Sequence, residues 1–173
     1  MKLVPLSKLF NVTYGVNLEL NRMTPDPSGI PFVGRSERNN GVTARVAPVG
    51  EINPIPAGTL SVAGGGSVLA TFLHPEPYYS GRDLFYLTAL ESMTDSQKLY
   101  YCVCIRANRY RYSYGRQANK TLRDLLIPAM SEIPNWANGG LTRVINDFSG
   151  RLKGIKTKRR AVGHNHLLQA RRP

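Results

Sequence analysis

The chain has 173 residues, 42% of them hydrophobic, and its 23 Lys and Arg against 11 Asp and Glu give a net charge of +12. That length buries a real core in one domain, with or without a tail. No apolar run approaches the ~20 residues that span a bilayer, and MKLVPLSKLF is too interrupted for a signal-peptide core, so a cytoplasmic location is expected.

Charge is concentrated rather than spread. Residues 151–173 hold 8 of the 23 basic groups and no acid, which leaves 15 basic against 11 acidic groups, a net of +4, on the first 150 residues. A basic tail of this kind is either a flexible arm for a polyanion or a solvated end that aids solubility.

Taken in order, Leu6 to Phe10 predicts a turn of helix and Asn11 to Tyr14 a strand stopped by Gly15. Asn21 to Gly29 reads as a loop, because two prolines and Asp26 oppose regular structure. Ile30 to Val33 opens the central sheet. Arg35 to Asn40 is then a polar loop, and Asn39-Asn40-Gly41 supplies the positive φ angles of a tight turn. Val42 to Val46 pairs back across it, and Pro48 to Gly58 is a connection.

Thr59 to Phe72 predicts a hairpin bent at Ala63 to Gly66. Gly64, Gly65 and Gly66 fit a backbone kink, at which a β-branched residue in place of Gly65 would be strained, or close approach of a partner. No GK[ST] follows them, so a nucleotide cradle is rejected. His74, inside a Pro-rich turn, has no nearby Cys or His with which to bind a metal. Tyr78 to Arg82 is an aromatic, basic loop before a strand from Asp83 to Leu87.

Thr94 and Gln97 stand at capping-box spacing and start a helix over Ser96 to Asn108, with Leu99, Val103 and Ala107 on one face. Cys102 and Cys104, two apart on it, point to different faces and read as core thiols rather than as a disulfide or metal pair. No acid stands between Lys98 and Asp124, while guanidinium, phenol and amide groups interleave. Tyr110, Tyr112 and Tyr114 alternate as in a half-buried strand. Leu122 to Pro128 closes the sheet, Trp136 is expected to lid the core, and residues 138–150 form a linker with a short helix from Leu141 to Phe148.

Arginine suits bidentate bonds to guanine and asparagine to adenine, and cations anchor phosphate. The candidate DNA-binding residues are therefore Arg35, Arg38, Asn39, Asn40, Arg45, Tyr79, Arg82, Arg109, Arg111, Tyr112, Arg116, Gln117, Asn119 and Lys120. Each also fits a solvated loop. No residues form a catalytic constellation, and no cofactor or metal is expected.

The stretches IPFVGRS, NNGV, PAGTLSVAGGGSVLATF, PYYSGRDL and RANRYRYSYGRQANKTLRDLLIPA, in this order, resemble the target recognition domain of restriction–modification specificity subunits. The resemblance covers roughly residues 1–136. It implies an α+β fold with a twisted, mostly antiparallel sheet and a few helices, in a recognition domain over 1–137 followed by linker, short helix and basic tail over 138–173. It also implies a non-catalytic module that binds double-stranded DNA in a sequence-specific way and directs a partner N6-adenine DNA methyltransferase, with or without a nuclease. The chain departs from the family in having no long heptad run after the recognition domain, so any homodimer would lack a long spacer coiled coil. Two other readings stay open: a decoy or regulator that takes the place of a specificity subunit, and a basic nucleic-acid-binding protein without sequence preference. An enzyme using His74, His164 or His166 is the remaining alternative.

Overall fold

The computed structural model describes residues 1–112 and 117–153. Two compact units divide between Asn138 and Gly139. The first is α+β. Its strands are β1 (Leu3–Pro5), β2 (Phe10–Tyr14), β3 (Pro25–Val33), β4 (Val42–Val46), β5 (Leu60–Ala63), β6 (Thr71–Leu73), β7 (Tyr79–Ser80) and β8 (Leu84–Ala89), followed by helix α1 (Asp95–Ala107) and β9 (Leu126–Pro128). Of the second unit, residues 140–153 form a helix, α2.

Three sheets result among the described residues. The largest has the order β2-β8-β5-β6 and is antiparallel throughout, with Val12 opposite Leu87 and Leu60 opposite both Leu87 and Leu73. A second has the order β4-β3-β7, in which β3 runs parallel to β7. The third pairs β1 with β9.

The main core lies between the four-stranded sheet and α1. Phe10, Leu60, Val62, Leu69 and Leu87 meet Tyr101, Cys102 and Ile105 there, and the Phe10 and Tyr101 rings stand edge to face at 5.4 Å. Such burial is worth about 1.5–3 kcal/mol for each large apolar side chain. Tyr101 also donates from its hydroxyl to Pro128 O at 3.2 Å, which ties α1 to β9. A smaller cluster of Phe32, Val46 and Tyr79 fills the three-stranded sheet.

The capping box forms as the sequence predicts. Thr94 Oγ1 accepts from Gln97 N, and Gln97 Oε1 accepts from Thr94 N. The face of the helix does not follow. Leu99 and Val103 are exposed, and the buried stripe is Tyr101, Cys102 and Ile105. Aliphatic residues at i and i+4 mark a face, but a Tyr that buries its whole ring and a thiol bury more usefully here. Cys102 is buried and its thiol is pushed up to about 12 by desolvation, so it is unreactive at neutral pH.

Three other expectations change. Residues 25–29 are not a loop: β3 starts at Pro25 and shifts register before Ile30, since both Pro25 and Ile30 face Val46. Proline is tolerated at the first residue of a strand, and the irregularity absorbs Pro27. Tyr110 and Tyr112 sit in a 3₁₀ helix over Asn108–Tyr112, not in a strand, while Tyr114 lies outside the described residues. Trp136 is 66% exposed, leaning edge-on against Tyr100 rather than closing the core. No helix among the described residues is long and apolar enough to cross a membrane.

Candidate functional site

The bend after β5 organises the site. Gly64 N donates to Asp83 O at 2.8 Å, and Gly64 O accepts from Ala118 N at 2.9 Å. Ser67 N donates to Arg35 O at 3.2 Å. One short glycine loop thereby fastens both stretches that the sequence singles out, 35–40 on one side and 117–120 on the other. Ala118 is fully buried, which roots the second stretch, while Gln117 and Lys120 on either side of it are exposed.

Side chains converge over this floor. A Cβ on Gly65 would stand 3.3 Å from Arg35 Nη1, 3.6 Å from Asp83 Oδ2 and 3.6 Å from Gln117 Nε2. A Cβ on Gly64 would stand 2.2 Å from Asn119 Oδ1. The missing methyls therefore make room for a guanidinium, a carboxylate and two amides. Arg35 Nη1 donates to Asp83 Oδ2 at 2.7 Å, and Asn119 Nδ2 donates to Gln117 Oε1 at 3.0 Å. Asn119 Oδ1 is buried with no hydrogen-bond partner among the described residues. Leaving a buried acceptor unmet costs about 1–3 kcal/mol. A second link joins the two stretches: Arg109 pairs with Glu37.

The positive φ at the bend belongs to Gly66, at +63°, so the strain expected of a larger residue at Gly65 moves one position on. Gly65 instead faces the convergent side chains. Asn39, Asn40 and Gly41 take φ of +48°, +52° and +79°, the turn the sequence predicts. Asn39 Nδ2 donates to Val42 O at 3.0 Å, which commits that amide to the turn.

Depressions lie on both sides of the glycine floor. One is lined by Arg111, Tyr112, Gln117, Asn119, Lys120 and Asp124. The other is lined by Asn17, Asn21, Arg35, Gly81 and Arg82. Arg111, Lys120 and Arg82 are exposed, as is Arg38 beyond the bend, and Tyr112 is half-buried with its hydroxyl 2.9 Å from Thr121 Oγ1. Arg116 lies outside the described residues.

Two candidates stand apart. Tyr79 is 1% exposed, and its hydroxyl donates to Ile52 O at 3.0 Å and accepts from Val49 N at 3.1 Å. It is a core residue that pins the 48–58 connection, so it is not available to a ligand. An aromatic between Tyr78 and Ser80 before a basic residue looks surface-borne in sequence, but the parallel pairing of β7 with β3 takes it inward. Arg45 Nη1 donates to Gly29 O at 2.8 Å and its guanidinium pairs with Glu76, in a separate depression with Asp26 and Pro77.

Sequence reasoning missed Asp83 and Glu37, the two acids that hold Arg35 and Arg109. Glu37 looks like an ordinary loop charge and Asp83 like the first residue of a strand, and only their proximity to the two arginines singles them out. His74 is buried, its Nε2 2.8 Å from Ser61 Oγ and its ring tilted 36° to that of Tyr78 with centroids 4.2 Å apart. Burial lowers its pKa to about 4 despite the opposing charge of Glu76. No cluster of metal-ligating side chains occurs among the described residues. His164 and His166 lie outside them.

No family model matches the sequence. Over 117 residues, 67% of this chain, it is 27% identical to the specificity subunit S.BcgI of a type II restriction enzyme from Heyndrickxia coagulans, and it spans 33% of that protein. Its fold is similar to that of the type I restriction–modification S subunit of M. genitalium, with a TM-score of 0.59 at 19% identity over 90% of this chain and 41% of that one. The HsdS subunit of Thermoanaerobacter tengcongensis gives a TM-score of 0.59 at 16% identity, covering 91% of this chain and 39% of its own. This chain thus spans about a third of the curated relative and about two-fifths of the solved ones.

Proposed function

We propose, from this likeness to specificity subunits in sequence and in fold, that the chain is a target recognition domain: it binds double-stranded DNA and reads a short sequence without doing chemistry. The observation that carries the reading is the convergence of Arg35, Gln117 and Asn119 on the Gly64–Gly65 floor, with exposed cations on both sides. Such a surface combines what duplex recognition needs. Arg and amide groups discriminate base edges in the major groove. Arg38, Arg82, Arg109, Arg111 and Lys120 supply the phosphate contacts that position the domain but carry no sequence information. The charge balance agrees in part, since two of the acids near the site, Asp83 and Glu37, are each paired with an arginine.

Recognition is assigned to residues 1–137, with 138–173 following as linker, helix and basic tail. The partner is an N6-adenine DNA methyltransferase subunit, which takes the adenine out of the stack and modifies it while this domain chooses the site. A nuclease acts through the same choice where the system contains one.

Selection of duplexes from a random pool, followed by binding titrations against the winner and each of its single-base-pair variants, tests the reading. The expected result is a defined site with a preference of about 1–3 kcal/mol at each directly read position. Equal affinity for all duplexes with a steep salt dependence makes it a non-specific basic binder instead. Addition of the chain to a methyltransferase subunit tests the partner: methylation at the selected site is expected, and binding that blocks methylation identifies a decoy.

A further inference from the structure

Asp83 is an acid at the centre of a surface assigned to a polyanion, where an unpaired carboxylate would repel phosphate. Its construction shows that it is held there. Asp83 adopts φ +52°, a left-handed conformation uncommon for a residue with a side chain. Its backbone is fixed on both sides: its N–H donates to Tyr14 Oη at 2.9 Å and its carbonyl accepts from Gly64 N at 2.8 Å. Its side chain is 16% exposed, against 39% for Arg35. Arg35 in turn is gripped at its main chain by Ser67 and bounded by Gly66, whose absent Cβ would lie 3.1 Å from Arg35 Cβ.

We infer that Asp83 is a positioning residue for Arg35, and that Arg35 so held reads one guanine within the recognised sequence. The inference rests on the DNA-reading function proposed above. A guanidinium has five N–H groups in a rigid fork. The bond to Asp83 engages only Nη1, and the other nitrogens make no bond to a described residue. An end fixed in this way presents the remaining donors at one angle, as bidentate contact with guanine O6 and N7 demands. The carboxylate also offsets the charge of Arg35. That reduces its pull on phosphate at any sequence and leaves directional hydrogen bonding as its contribution. Gly65 completes the arrangement, because a side chain there would enter the space shared by Arg35 Nη1, Asp83 Oδ2 and Gln117 Nε2.

The test uses Asp83→Asn and Asp83→Gly, because asparagine and glycine both tolerate a positive φ and so preserve the loop. Circular dichroism and thermal melting establish that each variant folds. Binding is then measured against the selected duplex and all of its single-base-pair variants, at several salt concentrations. We expect Arg35→Ala to lose preference at one G·C pair by about 5- to 150-fold. Folded Asp83→Asn and Asp83→Gly should relax preference at the same pair, roughly fivefold or more, and steepen the log–log salt slope by about 0.9 as Arg35 turns to phosphate. Adding Asp83→Asn to Arg35→Ala should change nothing further. Folded Asp83 variants that keep the wild-type profile overturn the positioning role, and so does an Arg35→Ala variant that weakens all duplexes alike. A wild-type chain that selects no sequence overturns the DNA-reading function itself, which is a different result.

Discussion

Replacing the three glycines of the bend one at a time separates the backbone's needs from those of the surface. At Gly66, φ of +63° puts an alanine in the left-handed region, which costs about 1–2 kcal/mol before any contact is counted. Its Cβ would also meet Arg35 Cβ at 3.1 Å and Arg35 O at 3.2 Å, neither of which is the far end of a flexible side chain. At Gly64 the backbone is not left-handed, but a Cβ would lie 2.2 Å from Asn119 Oδ1 and 2.9 Å from Phe85 Cε2. Overpacking of that kind costs about 1–3 kcal/mol and must displace the Asn119 amide. At Gly65 the nearest atom is Arg35 Nη1 at 3.3 Å, the far end of a long side chain that needs to give by only a few tenths of an ångström. An alanine there should be neutral or gain about 0.4–1 kcal/mol from the less flexible unfolded chain. Urea titrations check the order: with slopes of about 1–3 kcal/mol/M, the Gly66→Ala and Gly64→Ala midpoints fall by roughly 0.5–1 M or more while Gly65→Ala stays at the wild-type midpoint. In DNA titrations Gly65→Ala should nonetheless shift the base-pair preference, because its methyl enters the space between Arg35 and Gln117. The reasoning fails if Gly65→Ala is as unstable as Gly66→Ala, or if Gly66→Ala is as stable as the wild type.

Three further outcomes are expected. With its native pKa near 4 against about 6.5 unfolded, His74 is protonated first in the unfolded chain; its contribution of about 3 kcal/mol is complete above pH 6.5 and is lost as pH falls from there to about 4. Urea titrations across that window should show a smaller pH slope for His74→Gln than for the wild type, and equal slopes refute the assignment. Among reading residues, Gln117→Ala and Asn119→Ala should each relax preference at one base pair by about 1–3 kcal/mol, whereas Arg111→Ala and Lys120→Ala weaken binding to every duplex and make the salt slope shallower; competition binding against the single-substitution panel distinguishes the two patterns. Deleting residues 151–173 should leave the melting temperature unchanged and weaken DNA binding more at low than at high salt, with about 0.9 lost from the log–log slope for each phosphate contact removed; an unchanged slope takes the tail out of the interface.

Local chemistry was readable in the sequence where it is decided locally. Asn39-Asn40-Gly41 turns because those residues tolerate positive φ, and Thr94 with Gln97 starts α1 because each side chain meets the other's backbone N–H. What depended on partners distant in the chain was not. Pro25 reads as a loop residue until Val46 stands opposite it, and Leu99 and Val103 read as a core stripe until the sheet takes Tyr101, Cys102 and Ile105 instead. Tyr79 and Arg82 are three residues apart, yet one is sealed behind β3 and the other lines a depression. At the candidate site the residue types were legible but their grouping was not. Arg35 and Gln117 come to the same glycine only because Ser67 and Gly64 hold their segments, and the acids that pair with Arg35 and Arg109 carry no sequence signature.

The pairing of β1 with β9 sets Leu3 opposite Pro128, and Ala129 N donates to Lys2 O at 3.0 Å. The first and last strands of the unit therefore run side by side, about one strand spacing of ~4.8 Å apart, ten residues before the unit ends at Asn138. Neither strand can fray without breaking the hydrogen bonds of the other, so the two most distant stretches of the unit's sheet hold each other in place.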